Sequence, residues 1–319
     1  TSAAEIDNDA LGSADVVAVW HTITVDEPLL RRMRRCRAIV RMGVGYDNVD
    51  IAAAGDLGIP VCNIPDYGTE EVADTALALI LGLFRGTLAT SARLAAGDAV
   101  QGADAIAACA GASVRRVRGT TLGLVGLGRI GTATAVRAKA FGFDVVFYDP
   151  YRDDGADKAL GIRRAASLGE LAAESTCLSL HCNCDASTAG LVDAALLAQL
   201  PPGALLVNTA RGELVDEVAL AAALRSGHLA AAALDVHASE PFRAGEGPLA
   251  GAPNLHCTPH LGWYSPEARL EMRQKGAAAA RRACEGRELR NIVNAQHLRL
   301  RTFVDVHGRE YSPSAARRR

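Results

Sequence analysis

The sequence has few aromatic residues, almost no net charge and no long apolar run. Phe, Trp and Tyr account for 4% of its 319 residues, and the formal net charge is −2. So small a charge gives no field that attracts nucleic acid or an anionic membrane, and direct binding to either is not expected. No apolar run approaches the ~18 residues of a membrane-spanning helix, and no signal peptide is visible. We therefore expect a protein that is neither secreted nor embedded in a membrane.

Disulfide bonds and a metal site are not expected either. The eight cysteines are scattered and mostly lie in apolar runs, which is typical of buried free thiols in a reducing compartment. His181, Cys182 and Cys184 are close in sequence, but no second Cys or His pair follows at zinc-like spacing, so a strand end is their expected position. The chain begins at Thr1 with no strand visible upstream of Glu5, so we expect a truncated N-terminus.

What the chain does contain is a strand–helix–strand pattern around three glycines. The apolar run Thr121–Val125 predicts a buried strand, Arg129–Phe141 has helical composition, and Val145–Tyr148 predicts a second strand. Between the first strand and the helix, the spacing G-x-G-x-x-G is formed by Gly126, Gly128 and Gly131. Between a strand and a helix, this spacing is typical of dinucleotide binding. A glycine-rich turn that binds no ligand can show the same G-x-G-x-x-G spacing.

Each glycine of this fingerprint has a physical role in binding a pyrophosphate. Gly126 permits the tight turn, Gly128 lets the backbone approach the phosphates, and Gly131 lets the helix pack on the strand. The helix begins at Arg129 and Ile130, where free N–H groups and the positive end of the helix dipole favour an anion.

Asp149 is predicted to select the cofactor. It ends the second strand, 18 positions after Gly131. A carboxylate there accepts hydrogen bonds from the ribose hydroxyls and repels a 2′-phosphate. NAD(H) is therefore favoured over NADP(H), although Arg152, three residues further on, is of the type that accommodates a 2′-phosphate.

Apolar runs and helical segments alternate along most of the chain. The alternation predicts an α/β fold: a doubly wound parallel (Rossmann) sheet with a second, smaller parallel α/β domain before it. Between the two we predict a long apolar helix over Glu71–Leu94, capped by Thr69 and buried between domains or in an oligomer interface. Gly97–Val117 is expected to be irregular, and Pro266–Glu285 to form a last helix.

Polar residues follow three successive strands of the predicted sheet, at the edge where such sheets bind ligands. Arg211 carries a permanently charged guanidinium whose paired N–H donors suit a carboxylate. His260 can carry a proton near neutral pH, and Glu240 is placed to orient that histidine. Beside a nicotinamide, this set suits hydride transfer between a 2-oxo acid and a 2-hydroxy acid.

Each of these residues also has a structural interpretation. Arg211 would form a surface ion pair, His260 would be a core histidine, and Glu240 would begin a turn. Their position on successive strand ends favours the site. The remaining histidines of interest lack such partners and are interpreted as structural: His21, His181, His237 and His256.

Five segments resemble the D-isomer-specific 2-hydroxyacid dehydrogenases, and the likeness covers residues 21–298. They are Val40–Asp50 (VRMGVGYDNVD), the fingerprint through Tyr151, Leu206–Gly212 (LVNTARG), Ala233–Phe242 (ALDVHASEPF) and Cys257–Ser265 (CTPHLGWYS). Within the family, His21–Thr24, Arg137–Tyr151 and Trp263 look most like the C-terminal-binding proteins, a branch of NAD(H)-sensing transcriptional co-repressors. Asp66–Asp74 looks more like the bacterial dehydrogenases.

The resemblance implies roles for further residues. It identifies Arg211, Glu240 and His260 as the catalytic residues. It implies substrate contacts by Arg41, Val44, Gly45 and Trp263, and cofactor contacts by Cys182, Thr209, Ala210 and Asp235. It also implies a flavodoxin-like substrate domain split between residues 1–66 and 265–298, an NAD-binding domain over 67–264, and a tail over 299–319 that we expect to be disordered.

The resemblance leaves two functions open. One is an NAD-dependent dehydrogenase of a small 2-oxo or 2-hydroxy acid. The other is a co-repressor that binds Pro-x-Asp-Leu-Ser peptides, with catalysis secondary; in such proteins the region upstream of Glu5 helps to form the peptide cleft. Val44 and Leu261-Gly262 differ from the animal co-repressors. The resemblance also implies a homodimer built on the cofactor domain, with Glu71–Leu94 involved. We expect the protein in the cytoplasm, the nucleus or both.

Overall fold

The computed structural model describes residues 6–111 and 113–299, and the backbone of 303–304 and 310–311. The chain divides into two compact units. One consists of Thr1–Gly68 with Tyr264–Arg319, and the other of Thr69–Trp263. Each unit has its own parallel sheet.

The first unit contains a small three-stranded parallel sheet. Its elements in chain order are α1 (Asn8–Ser13), β1 (Val16–Val19), α2 (Glu27–Arg32), β2 (Ala38–Arg41), α3 (Ile51–Asp56) and β3 (Val61–Asn63). The strands lie in the order β1-β2-β3, and the β2 residues are all buried. The predicted parallel α/β domain is confirmed here.

The predicted single helix over Glu71–Leu94 is wrong. Two helices occupy the segment, α4 (Thr69–Arg85) and α5 (Thr87–Ala95), and they are bent by 75°. The break falls at Gly86, whose φ of +65° disfavours any residue with a Cβ. Thr69 is the first residue of α4 rather than its cap. The stretch predicted to be irregular contains α6 (Ala103–Ala110).

Helix α4 is buried within its own unit, whereas the sequence predicts burial between domains or in an oligomer interface. Its buried residues, which include Ile80, Leu83 and Phe84, join the core of their own unit. None of the α5 residues is buried. Among the described helices, none alone is long and apolar enough to cross a membrane; α4 and α5 meet the length and composition together but are bent.

The second unit is built on a seven-stranded parallel sheet. After α6 its elements are β4 (Thr121–Val125), α7 (Arg129–Ala140), β5 (Asp144–Tyr148), α8 (Ala156–Leu160), β6 (Arg163–Arg164), α9 (Leu168–Glu174), β7 (Cys177–Leu180), α10 (Ala194–Gln199), β8 (Ala204–Asn208), α11 (Glu217–Arg225), β9 (Leu229–Leu234) and β10 (Leu255–Cys257). The strand order is β10-β9-β8-β7-β4-β5-β6. Successive strands are added on one side of β4 up to β6 and on its other side from β7 onward. The strand order therefore reverses between β4 and β7, which is where doubly wound sheets bind ligands.

Apolar side chains cover both faces of this sheet. Along β8, Leu206 packs in one hydrophobic cluster, whereas Leu205 and Val207 pack in the other. A strand buried on both faces reads as a continuous apolar run, because helices lie above and below it. The predicted doubly wound α/β fold is confirmed.

The chain then returns to the first unit through α12 (Pro266–Cys284). The buried side chain of Asn294 ties this return segment to the small sheet: its Oδ1 accepts from the N–H of Val61 at 2.9 Å, and its Nδ2 donates to the carbonyl of Ile59 at 2.9 Å. Two short strands follow and pair antiparallel, β11 (Phe303–Val304) and β12 (Glu310–Tyr311). Most of the tail predicted to be disordered lies outside the described residues.

Candidate active site

The glycine fingerprint lies at the end of β4, beside the point where the strand order reverses. Gly126 has φ +93°, and a Cβ on it would come within 2.9 Å of the backbone of His181 and Cys182. A Cβ on Gly131 would come within 2.3 Å of the carbonyl oxygen of Gly126. The tight turn and the close helix–strand contact thus both require glycine, as the sequence predicts.

Gly128 differs from the other two glycines because it faces open space. No heavy atom lies within 4 Å of a Cβ built on it. It is the N-cap of α7, where among the described residues no side chain caps the helix, and Arg129 and Ile130 follow as the first helical residues. Uncapped N–H groups beside an open backbone fit a pyrophosphate.

Asp149 holds its carboxylate against the same turn. Its Oδ2 accepts from the N–H of Leu127 at 2.8 Å, and its Oδ1 accepts from the N–H of Tyr151 at 2.9 Å. Leu127 lies between two glycines of the fingerprint, so the carboxylate is fixed beside the proposed pyrophosphate position. A fixed acid there suits a ribose without a 2′-phosphate.

His181 and Cys182 directly follow the end of the neighbouring strand, β7, where the sequence predicts a strand end. Burial raises the pKa of the Cys182 thiol to about 11, so it stays protonated at neutral pH. Burial also lowers the pKa of His181 to about 4, and its Nε2 lies 2.9 Å from the Oγ of Ser179. All eight cysteines are free thiols. Over the described ranges, no group of three or more Cys, His, Asp or Glu is placed to hold a metal.

A short turn at the end of β8 positions Arg211. The side chain of Asn208 spans this turn: its Oδ1 accepts from the N–H of Ala210 at 3.0 Å, and its Nδ2 donates to the carbonyl of Arg211 at 2.7 Å. The Nη1 of Arg211 donates to the carbonyl of Ala210 at 2.8 Å. The Oγ1 of Thr209 is buried and has no hydrogen-bond partner among the described residues, which suits a ligand contact.

Glu240 and His260 form a hydrogen-bonded pair beyond the ends of β9 and β10. The Nδ1 of His260 lies 2.8 Å from the Oε2 of Glu240, and the two side chains are 28% and 30% exposed, so substrate can reach them. Burial acts to raise the pKa of Glu240, but the hydrogen bond and charge of His260 and the backbone N–H of His237 together hold it below its usual range. Glu240 is therefore a carboxylate at neutral pH.

Asp235 shapes the turn that carries His260. Its Oδ1 accepts from the hydroxyl of Thr258 at 2.6 Å and from the N–H of Leu261 at 2.9 Å, and its Oδ2 accepts from the N–H of Gly262 at 2.8 Å. His260 itself has φ +54°, a conformation that is uncommon outside glycine. Such strain persists only where surrounding bonds enforce it, and Asp235 supplies them.

Arg41, Val44 and Gly45 belong to the first unit, whereas Trp263 is the last residue of the second. Arg41 is 6% exposed; its Nη1 donates to the carbonyl of Met42 at 2.8 Å. The carbonyl of Val44 accepts from the Nδ2 of Asn63 at 2.7 Å. Gly45 and Trp263 are half-buried.

Sequence reasoning did not identify Asn208 or Thr258, whose side chains shape these turns. A signal was present for Asn208, because asparagine after a strand often bonds the backbone two residues on. Thr258 gave no such signal, since its bond to Asp235 joins residues 23 positions apart.

A comparison with models of protein families shows which family the chain belongs to. The model of the D-isomer specific 2-hydroxyacid dehydrogenase NAD-binding domain matches residues 77–262. The chain belongs to this family. The resemblance of the five segments is thereby confirmed, and residues 77–262 are an NAD-binding domain of the family.

Two relatives of this dehydrogenase family member match most of the chain. C-terminal-binding protein 1 of Caenorhabditis elegans is 39% identical over 299 residues, 92% of this chain and 41% of that protein. D-3-phosphoglycerate dehydrogenase of Mycobacterium leprae (strain TN) is 40% identical over 285 residues, 89% of this chain and 52% of that protein. The chain thus spans about half the length, or less, of these two relatives.

Solved structures of dehydrogenases share the fold. D-Lactate dehydrogenase from Aquifex aeolicus, complexed with NAD and lactic acid, has a TM-score of 0.78 and 27% identity. The match covers 88% of this chain and 86% of that one.

Proposed function

We propose that this protein is an NAD(H)-dependent oxidoreductase of the D-2-hydroxyacid dehydrogenase type that reduces a small 2-oxo acid. The 2.8 Å hydrogen bond between His260 and Glu240, at the strand-end edge that also carries Arg211, is the observation that carries the proposal. Family membership supports the same reaction type.

His260 is the proton donor in this proposal. Glu240 accepts from Nδ1, which leaves Nε2 as the nitrogen that holds the proton for the substrate oxygen. The carboxylate of Glu240 accepts the Nδ1–H of His260 and thereby fixes the orientation of the imidazole. A carboxylate that orients a histidine is the arrangement that proton transfer by that histidine needs.

Arg211 binds the carboxylate of the substrate and polarises its carbonyl in this proposal. The guanidinium stays charged at every relevant pH and offers planar paired donors. As proposals from the family resemblance, the unit of Thr1–Gly68 with Tyr264–Arg319 is the substrate domain, and further substrate contacts come from Arg41, Val44, Gly45 and Trp263.

The second unit would hold NAD(H) through its fingerprint. Gly126, Gly128, Gly131 and the N–H groups at Arg129 and Ile130 receive the pyrophosphate, and Asp149 receives the ribose. Bound there, the nicotinamide supplies or accepts the hydride. Further proposed contacts are Cys182, Thr209, Ala210 and Asp235; the three hydrogen bonds already made by the Asp235 carboxylate also support a role in shaping the His260 turn.

NADH oxidation with a panel of 2-oxo acids tests the proposal. We expect turnover with at least one acid, and His260→Ala should lower kcat by about 100- to 10,000-fold, the usual contribution of a general acid. Glu240→Gln should lower it less, because the histidine remains.

His228→Ala is the matched control for the histidine substitution. His228 precedes β9 at the opposite edge of the sheet, and its Nε2 lies 2.9 Å from the carbonyl of Leu197. This variant should keep wild-type kcat. If the wild type turns over no faster than His260→Ala on every acid, the enzymatic function is wrong.

A second function is favoured by the 39% identity with C-terminal-binding protein 1 over 92% of this chain. In this proposal the protein is an NAD(H)-sensing transcriptional co-repressor, with catalysis secondary. The full-length protein should then retain Pro-x-Asp-Leu-Ser peptides on a column, to a different extent with and without NADH. A scrambled peptide is the control, and equal retention of both peptides in both states would remove this function.

The proposed assembly is a homodimer built on the cofactor unit. The exposed side chains of Leu94 on α5 and Ile106 on α6 support this assembly. Exposed aliphatic side chains on helices with few buried residues are typical of a surface that a second subunit covers. We propose residence in the cytoplasm, the nucleus or both.

A further inference from the structure

His237 lies where three strand-end segments of the second unit meet. The sequence indicates no partner for it, which favours a structural interpretation. In the structure it follows the end of β9, is 4% exposed, and lies three residues before Glu240. Its contacts reach the segments that carry Arg211, Glu240 and His260.

The side chain of His237 links the Glu240 loop to the end of β10. Its ring stacks on Phe242, with centroids 3.8 Å apart and planes 11° apart. Its Nε2 lies 3.2 Å from the carbonyl of Thr258, two residues before His260. Because a carbonyl can only accept, the proton is on Nε2 and that nitrogen donates.

The backbone around His237 links the same loop to the other two segments. The N–H of His237 donates to the Oε1 of Glu240 at 3.3 Å, so the residue contacts the carboxylate directly. The next N–H, of Ala238, donates to the Oε1 of Glu217 on α11 at 3.1 Å. A Cβ on Gly212, next to Arg211, would lie 1.9 Å from the carbonyl carbon of His237, so these backbones are packed against each other.

A packing role alone does not explain a histidine at this position. Phenylalanine would make the same stack on Phe242. The imidazole instead buries an Nδ1 that has no hydrogen-bond partner among the described residues, which costs free energy. What the imidazole adds over a phenyl ring is the Nε2–H that reaches Thr258.

We propose that His237 is a positioning residue that holds the Glu240 loop against the strand end carrying His260, so that the Oε2 of Glu240 meets the Nδ1 of His260. The inference rests on the proposed dehydrogenase function for its kinetic consequence. Its structural content, a fixed Glu240–His260 hydrogen bond, does not depend on turnover.

His237→Phe tests the proposal, because it keeps the stacking ring and removes the Nε2–H donor. Displacement of a catalytic pair by less than 1 Å is enough to lower kcat by about 10- to 100-fold. We expect such a loss in kcat with little change in KM for the 2-oxo acid, an altered pH profile of kcat, and unchanged NADH affinity. His237→Gln restores an N–H of similar reach and should recover part of kcat.

His228→Phe is the matched control. It removes the same kind of Nε2 contact to a carbonyl, that of Leu197, at the opposite end of β9. This control should leave kcat and the pH profile unchanged, while a general loss of packing would affect both variants alike.

A second measurement separates failure of this inference from failure of the proposed function. In NMR spectra, the Nδ1–H of His260 should give a downfield signal that Glu240→Gln removes. His237→Phe should weaken or remove the signal, His237→Gln should restore it in part, and His228→Phe should keep it. If His237→Phe retains the wild-type signal, the inference is wrong, whether or not any 2-oxo acid is reduced.

Discussion

At the scale of single residues, we propose that Asp149 selects which dinucleotide binds. Its two carboxylate oxygens are held by the N–H groups of Leu127 and Tyr151, so the negative charge cannot turn away from the ribose position. A fixed negative charge there is compatible with ribose hydroxyls and repels a 2′-phosphate.

We expect Asp149→Ala to weaken NADH binding about tenfold, which corresponds to ~1.4 kcal/mol, and to narrow the preference for NADH over NADPH. Fluorescence titration with both cofactors measures this. Asp154→Ala is the control, since Asp154 is an exposed acid of the same region that pairs with Arg164. Unchanged affinity of Asp149→Ala for both cofactors would show that another residue selects the cofactor.

At the same scale, the sequence predicts which side chains lie at the candidate site more fully than it predicts the hydrogen bonds between them. Arg211, Glu240 and His260 could be found because each follows an apolar run that predicts a parallel strand, and such strands end at one edge. The bonds of Asp235 to Thr258, Leu261 and Gly262 could not be found. They depend on a left-handed turn at His260, which apolar periodicity does not record.

At the scale of elements, the β4–α7–β5 unit follows directly from the sequence, whereas the break between α4 and α5 does not. Thr121–Val125 is the strand that its apolar run predicts. Gly86 lies inside a long apolar stretch, where a glycine is compatible with a continuous helix at a cost of about 1 kcal/mol. The break depends on distant residues: a Cβ on Gly86 would lie 2.7 Å from Val114 and 2.9 Å from Ala110.

This geometry predicts a large cost for Gly86→Ala. The left-handed φ of +65° costs an L-residue about 1–2 kcal/mol, and overpacking against Val114 and Ala110 adds about 1–3 kcal/mol. The free energy of unfolding, measured in urea, should therefore fall by about 2–5 kcal/mol.

Gly97→Ala separates the two contributions to that cost. Gly97 also has a positive φ, +98°, but no heavy atom lies within 4 Å of its added Cβ. Only the backbone contribution, about 1–2 kcal/mol, should remain. Equal losses in the two variants would mean that the contacts of Gly86 do not set the break.

At the scale of the whole molecule, the exposed surface of the α5–α6 segment bears on the proposed homodimer. Leu94 is 55% exposed and Ile106 is 51% exposed. Helix α5 buries none of its residues within the chain, although α4, directly before it, buries a full face. A second subunit over this segment would remove those side chains from water, and each such burial contributes about 1.5–3 kcal/mol.

The double variant Leu94→Glu/Ile106→Glu should accordingly weaken the dimer by at least about 100-fold, because two charges would be buried without partners. Light scattering after size exclusion, over a range of concentrations, measures the mass directly. Val218→Glu/Leu270→Glu is the control, since Val218 and Leu270 are as exposed, at 65% and 57%, but lie on α11 and α12. If the dimer dissociates in Leu94→Glu/Ile106→Glu but not in the control variant, the interface includes α5 and α6. A wild type that stays monomeric at every concentration, or equal loss in both pairs, would contradict that placement.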